Sequence, residues 1–236
     1  KFWKSLKNMG LKIVNPVPSL FTFNCKDPRI EGLMGISFEQ AEVKIINQKL
    51  EAEGPMLITH WGFSGPAILR LSAWGALKLN ESAYKFDIEI NFVNQSKEEV
   101  FTFLNDKKQV DAKKNVHKNN PFDFPKRFWI SILNYCNIDE NKVYADLSKK
   151  QLEAIATELC QGRYAINGKS TFKDEFVTAG GVDLKEIDFH SMQSKKIPNL
   201  FMAGEVLNID AITGGFNFQA CWSEGSVISE KLKEIY

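Results

Sequence analysis

The residues best placed to do chemistry lie late in the sequence, in Asn199 to Leu232 (NLFMAGEVLNIDAITGGFNFQACWSEGSVISEKL). A short apolar run, Leu200 to Ala203, meets Gly204 and Glu205. A loop then closes on Gly214 and Gly215, and an amphipathic segment starts with Asn217, Phe218 and Gln219. The order reads strand, loop, helix. Glycines let backbone approach a flat or anionic ligand, and the free N–H groups of a helix start point at it. The Glu205 carboxylate can accept from a hydroxyl of the same ligand. The same pattern also describes an ordinary packing corner that carries an exposed glutamate.

Two further stretches combine glycines with polar side chains. In Thr59 to Leu69 (THWGFSGPAIL), Thr59, His60, Gly62, Ser64, Gly65 and Pro66 form a set whose glycines and helix start could bring backbone donors to a substrate or flavin carbonyl, with His60 a candidate proton donor. The other reading of His60 is a core histidine ahead of a capped helix. In Val177 to Asp188 (VTAGGVDLKEID), Thr178, Ala179, Gly180, Gly181 and Val182 place paired glycines after a strand. Such pairs also mark common turns.

These three stretches, in this order, resemble the motifs of the BaiN-type or aminoacetone-oxidase-like NAD(P)/FAD-dependent oxidoreductases, a bacterial flavoprotein family. The resemblance covers nearly the whole chain and begins in the middle of that family's usual sequence. It implies that Glu205 meets the ribityl or pyrophosphate part of FAD. Gly214, Gly215, Asn217, Phe218 and Gln219 would pass the isoalloxazine edge, with the helix start near its N1–C2=O region. A helix N-terminus stabilises negative charge by roughly 0.3 to 1 kcal/mol, which suits a reduced flavin. Thr178, Ala179, Gly180 and Gly181 would approach the flavin, and Thr59, Gly62, Ser64 and Gly65 would form a substrate loop. NAD(P)H would reduce the flavin, and an inserted domain would cover a small-molecule substrate. Members of the family reduce ring-conjugated double bonds or are assigned amine oxidation.

The sequence lacks a G-x-G-x-x-G followed about 20 residues later by an acidic residue, the element that holds the ADP half of FAD. In the resembled family it lies before the matching region. The expectation is therefore a fragment that begins at Lys1, binds FAD weakly or not at all, is inactive alone, and has the missing N-terminal FAD-binding segment as its partner. The alternative is a non-catalytic ligand- or partner-binding module that retains the fold.

At 236 residues, 44% hydrophobic and 12% aromatic, the chain can bury a real core in one large or two ordinary domains. Thirty basic residues against 29 acidic give a net charge of +1, so no global field recruits nucleic acid or an anionic membrane. Lys107, Lys108, Lys113, Lys114 and Lys118 form a basic run, but Asp106 and Asp111 interleave with it and no aromatic lies within it. A solvated helix face is the expectation, with no nucleic acid and no membrane as partner. No apolar run approaches the roughly 18 residues that span a bilayer, and no leader is visible. Cys25, Cys136, Cys160 and Cys221 are widely spaced in apolar surroundings, which suits free thiols in the cytoplasm. His60, His117 and His190 are too scattered for a metal site. The stretch Gly162 to Ser170 (GRYAINGKS) has the wrong spacing for a phosphate loop.

The elements that must position these residues follow from periodicity. Phe2, Trp3, Leu6 and Met9 fall at helical spacing with Gly10 as a cap, and Pro16 and Pro18 make Leu11 to Cys25 extended. Phe38 to Ile46 and Pro55 to His60 read as strands. In Tyr84 to Val93 apolar and polar residues alternate, the mark of a half-solvated strand in an antiparallel sheet or small barrel. Ser64 is the expected N-cap of a helix through Trp74. Ser96 with Glu99 and Ser148 with Gln151 read as capping boxes, and Pro125 opens a helix through Cys136. Asn167-Gly168 reads as a hairpin turn, with strands at Thr171 to Thr178 and Leu200 to Ala203 beyond it. The expected fold class is α+β: an antiparallel β-sheet or small β-barrel with a helical insertion, plus, by the resemblance, part of a Rossmann-like FAD-binding domain. The expected division is 1–18 as the remnant of a first flavin-domain segment, 19–176 as the inserted domain, and 177–236 as the C-terminal part of the FAD-binding domain. Within 19–176, residues 19–93 are β-rich, 96–162 helical and 163–176 a β return.

Overall fold

A computed structural model describes residues 2–170 and 177–235. In chain order the elements are α1 (Phe2–Asn8), β1 (Ile13–Ser19), β2 (Thr22–Cys25), β3 (Ser37–Ile45), β4 (Leu50–Ile58), β5 (Gly62–Ser64), α2 (Pro66–Trp74), α3 (Ala76–Glu81), β6 (Lys85–Asn91), α4 (Lys97–Val110), α5 (Lys126–Tyr135), α6 (Lys149–Gln161), β7 (Gly162–Ser170), β8 (Val177–Val182), β9 (Ile187–Asp188), β10 (Gln193–Ser194) and α7 (Phe216–Ile235). The chain divides into two compact units: Lys1–Phe21 with Leu69–Ala83 and Thr171–Tyr236, and Thr22–Ile68 with Tyr84–Ser170. None of the described helices is long and apolar enough to cross a membrane.

The second unit is built on a closed antiparallel barrel with strand order β2-β5-β4-β3-β6-β7, so the α+β class with a barrel holds. Closure leaves no open sheet edge. Alternation sets its inside: Ile88 and Ile90 of β6 and Val43 and Ile45 of β3 are fully or almost fully buried, while Lys85 and Asp87 face out. Tyr164 on β7 packs edge-on against Phe63 of β5 at 5.1 Å. Helices α4 and α6 start where the capping boxes place them; in each, the Ser96 or Ser148 hydroxyl accepts from the third helical N–H and the Glu99 or Gln151 side chain accepts in return. Pro125 caps α5. The indole N–H of Trp129 donates to Val116 O at 2.8 Å, and Tyr144 OH donates to Asn119 O at 2.6 Å, which ties the segment between α4 and α5 to the helices around it.

Two sequence expectations change in this unit. Asn167-Gly168 is not a hairpin turn. Asn167 pairs with Lys85, while the β2 partners shift register between Phe23↔Lys169 and Cys25↔Ile166, so the two residues form a bulge in an unbroken β7. Gly168 adopts φ +148°, which a bulge can demand of glycine as readily as a turn does. Ser64 is not an N-cap: it ends β5, paired with Leu57. The lysine run is partly tied down, with Lys107 and Lys114 both on Asp111 at 3.1 and 2.7 Å and Lys108 Nζ donating to Leu147 O at 2.6 Å.

In the first unit β1 and β8 pair antiparallel, with a register shift between Val14 and Val17 where Pro16 has no N–H to give. Helix α1 buries only Leu6, and Gly10 follows it at φ +87°. Around Val182, Ile187, Met202 and Leu207 lies a small apolar core, against which Trp3 and Ile228 pack. The expected strand at Leu200 to Ala203 is absent: Phe201 makes a single bridge to Gln193. Most of the expected strand at Thr171 to Thr178 lies outside the described residues, and β8 begins at Val177.

Candidate active site

In the first unit, the loop before α7 is shaped by glycine. Gly204, Gly214 and Gly215 have φ of +78°, +122° and +85°, a region that side-chain-bearing residues rarely adopt. A Cβ on Gly215 would meet nothing within 4 Å, so this turn is open ground in front of the helix. Glu205 is exposed on a single turn, Gly204–Val206. Together with Gly214, Gly215, Asn217, Phe218 and Cys221 it lines a cavity of about 400 Å³ that Leu20, Val177 and Ile212 also wall. The first N–H groups of a helix have no partner within it, and here α7 presents them beside that cavity.

Two side chains hold the loop. Asn217 accepts from Ala211 N at 2.9 Å and donates to Ala211 O at 3.0 Å. Its amide is thus a clamp on the loop beside the cavity that Asn217 also lines. Glu224, one of the few buried charged residues, accepts from Gly204 N at 2.6 Å. Sequence reading passed over Glu224, because nothing local links it to a glycine 20 positions earlier. Phe218 is 69% exposed and stacks on Trp222, while Gln219 donates to Ser223 Oγ at 3.2 Å. Asp210, half-buried, accepts from the buried Ser19 hydroxyl at 2.9 Å. Burial pushes its carboxyl above the usual range, and the Ser19 hydrogen bond pulls it part of the way back.

Thr178, Ala179, Gly180 and Gly181 lie within β8. A Cβ on Gly180 would come 2.6 Å from Asn15 O, and one on Gly181 would come 2.7 Å from Leu207 O. Close backbone approach accounts for both glycines, and both are buried.

In the barrel unit, Thr59 to Trp61 is a tight loop that leads into β5. Thr59 N donates to Gly62 O at 2.8 Å, Trp61 N to Thr59 Oγ1 at 3.2 Å, and Cys25 N to Trp61 O at 2.8 Å. Added Cβ atoms would sit 2.5 Å from Cys25 N at Gly62 and 2.8 Å from Pro55 O at Gly65. His60 is exposed, not packed in the core, and with Thr59, Lys26, Asp27, Glu31 and Met34 it borders a cleft of about 500 Å³. Near that cleft stands a residue the sequence did not announce. The Arg29 guanidinium, 4% exposed, meets Asp27 at 2.8 Å and Glu158 at 2.6 Å and also donates to Arg163 O. It lies between the Tyr135 and Tyr164 rings, 4.4 and 3.9 Å from their centroids. Burial pushes the neighbouring Cys25 thiol up to about 12, with the Asp27 charge adding to the effect and Arg29 opposing it, so this sulfur is held as an unreactive thiol.

A closed barrel with a helical insertion, and in the other unit a glycine turn before a helix start, define an α+β protein. Residues 17–177, more than half of the chain, match the family model described as "HI0933-like protein barrel and H2TH domain", and the chain belongs to the HI0933-like family. It is 27% identical to a ribosomal RNA dihydrouridine synthase of Escherichia coli (strain K12) over 239 aligned positions, covering 98% of this chain and 55% of that protein. With the ribosomal RNA dihydrouridine synthase of Haemophilus influenzae the identity is 29% over 223 positions, covering 92% and 52%. A 3-dehydro-bile acid delta(4,6)-reductase of Clostridium scindens is 24% identical, covering 93% and 54%. The chain spans about half the length of the curated relatives it matches.

The expectation of an enzyme stands at the level of class, since the relatives carry the names of a reductase and of synthases that make a reduced nucleoside. Two narrower expectations are overturned. The RNA-modifying relatives displace both the fragment of an NAD(P)H-reduced oxidoreductase and its alternative, a non-catalytic module. They equally displace the exclusion of nucleic acid as a partner. That exclusion rested on net charge, which reports only the long-range field; unpaired RNA is read by stacking and by local polar contacts that need no global charge.

Proposed function

We propose that this chain forms part of an enzyme that reduces the C5–C6 double bond of a uracil base in ribosomal RNA, with a flavin seated at the glycine turn before α7. The observation that carries this reading is the alignment of two ribosomal RNA dihydrouridine synthases with 98% and 92% of the chain. The reaction breaks one C=C π bond and forms two C–H bonds, one from a hydride and one from a proton. A bound flavin in its reduced form would supply the hydride and be left oxidised.

The residues present fit such a group. Gly215 leaves room for a flat ring, and the α7 start favours an anionic ring edge. Leu20, Val177 and Ile212 exclude water on the apolar side, and Glu205 is placed to accept from a hydroxyl. Asn217 and Glu224 keep the loop in this shape by holding Ala211 and Gly204. The exposed His60 of the barrel unit remains a candidate proton donor of the protein.

A second reading keeps the chemistry and changes the acceptor. The Clostridium scindens relative, and the narrower BaiN-type placement with it, favour a ring ketone with a conjugated double bond. Uracil C5=C6 is likewise conjugated to a carbonyl, so one reductive site serves either.

The test is mass spectrometry of nucleosides from ribosomal RNA incubated with the full-length protein and chemically reduced flavin, beside the same reaction on a 3-keto-4,6-diene steroid. Dihydrouridine in the RNA supports the first reading. Reduction of the steroid with unchanged RNA replaces it with the second.

A further inference from the structure

We infer that Trp61 is a stacking platform for an unpaired nucleobase of the RNA, set beside the His60 cleft on the barrel. This rests on the proposed RNA substrate and assigns where that RNA is gripped.

The Trp61 side chain is 53% exposed, although it is the largest apolar group in its loop. Loop softness does not explain this. Both backbone groups of Trp61 are hydrogen-bonded, N–H to Thr59 Oγ1 and O from Cys25 N, and Thr59 closes the loop on Gly62. Gly62, at φ +141° with its Cα packed against the β2 backbone, fixes the loop from the other side. An aromatic held outward on a fixed backbone loses little entropy when a flat partner stacks on it. The cleft of about 500 Å³ that Thr59 and His60, the two residues before Trp61, help to line has the size of a small-molecule site and can hold a nucleotide.

Charge at the rim suits a phosphate backbone. Lys26 is exposed on the cleft wall. Arg127 donates one guanidinium N–H to Gly32 O at 2.8 Å, which anchors an otherwise exposed cation to the cleft lining. Two acids also line the cleft: Asp27 is engaged by Arg29, which leaves Glu31 as the exposed carboxylate. The stacking surface with flanking cations is what single-stranded RNA uses, whereas a duplex keeps its bases stacked on one another and offers a ring little purchase.

The test measures affinity of the full chain for a single-stranded oligouridylate and for an RNA duplex of equal length, with dihydrouridine formation in ribosomal RNA measured in parallel. Trp61→Ala should weaken oligouridylate binding about tenfold or more and leave duplex binding unchanged, the loss expected of one stacked base. Trp61→Phe should stay within about threefold of wild type. Phe189→Ala, which removes a comparably exposed aromatic from the other unit, should change nothing. The salt dependence of binding should be unaltered in Trp61→Ala and shallower in Lys26→Ala. If wild type forms dihydrouridine and Trp61→Ala binds oligouridylate as well as wild type, the platform is refuted while the RNA-reductase reading stands. If wild type forms no dihydrouridine and binds neither RNA, both fall.

Discussion

Asn217, in the first turn of α7, holds Ala211 by both backbone groups at once, accepting from its N–H at 2.9 Å and donating to its carbonyl at 3.0 Å. A side-chain amide that copies a β-ladder pairing fixes the five-residue loop between them, and with it Gly214 and Gly215 at the helix start. The same helix reaches back a second time through Glu224 to Gly204 N. Helix α7 thus shapes the turn in front of it, and the shape of that turn decides what can approach the helix N-terminus.

Replacing Asn217 should therefore affect ligand and stability together. Asn217→Ala leaves the Ala211 N–H and C=O without their partner, at about 1 to 3 kcal/mol. Asn217→Asp keeps the acceptor but sets a carboxylate against the Ala211 carbonyl, and should be the worse of the two for flavin binding. Urea unfolding and flavin absorbance of the full-length protein check this. Wild-type flavin occupancy in Asn217→Ala would show that the loop holds its shape without the clamp.

The glycines of β8 and of the α7 turn should respond oppositely to alanine. Gly181→Ala pushes a methyl to 2.7 Å from Leu207 O at φ +127°, so strain and overlap combine; the loss should exceed about 2 kcal/mol. Gly215→Ala meets nothing within 4 Å and suffers only its φ of +85°, about 1 kcal/mol. Yet Gly215→Ala should impair flavin binding, because its methyl occupies the open side of the turn. Denaturation midpoints and flavin titration separate the two: equal stability losses would remove the distinction between packing and approach glycines.

Much of the fold could be read in the sequence because it is written in local rules. The alternation from Tyr84 to Val93 gave β6, and the Ser96–Glu99 and Ser148–Gln151 pairs gave the starts of α4 and α6. Gly168 misled because a bulge and a turn need the same residue, and only pairing with Lys85 on one side and β2 on the other separates them. Leu200 to Ala203 is apolar enough for a strand but finds only one bridge, to Gln193. In the candidate site the glycines were visible, whereas Glu224 and Arg29 were not. Their partners lie 20 residues away for Glu224 and 129 for the Arg29–Glu158 pair, distances over which the sequence carries no period.

Arg29 should prove a structural keystone of the barrel unit, with a pH signature. Burial pushes the Asp27 carboxyl up, but the Arg29 donors outweigh this and hold it below the usual carboxylate range. A depressed acid adds stability above its unfolded value, about 3.9, and that stability is lost as pH falls through the folded value. Arg29→Met removes the cation and leaves Asp27 and Glu158 uncompensated, at about 3 to 5 kcal/mol near neutrality. Asp27 is then governed by burial, so the gap between wild type and variant should widen as pH rises from about 3 to 6. Guanidinium titrations across that range check it; a constant gap would mean that the lost packing on Tyr135 and Tyr164 accounts for the whole effect.

Asp210 should show the opposite sign. Burial raises its carboxyl, so the stability it contributes is full below the ordinary carboxylate range and is lost as pH rises through the folded value. In its ionised form Asp210 is a half-buried carboxylate whose described partner is the Ser19 hydroxyl. Asp210→Asn keeps an acceptor for Ser19 and removes the charge. The variant should unfold at higher denaturant than wild type at pH 7, and the difference should vanish below about pH 4. A variant less stable than wild type at pH 7 would show that the ionised form is favoured in the folded protein and would reverse the assignment of burial as the dominant influence. A variant that is more stable but slower in forming dihydrouridine would mark Asp210 as a charge kept for function at the expense of the fold, the usual relation between stability and activity at reactive sites.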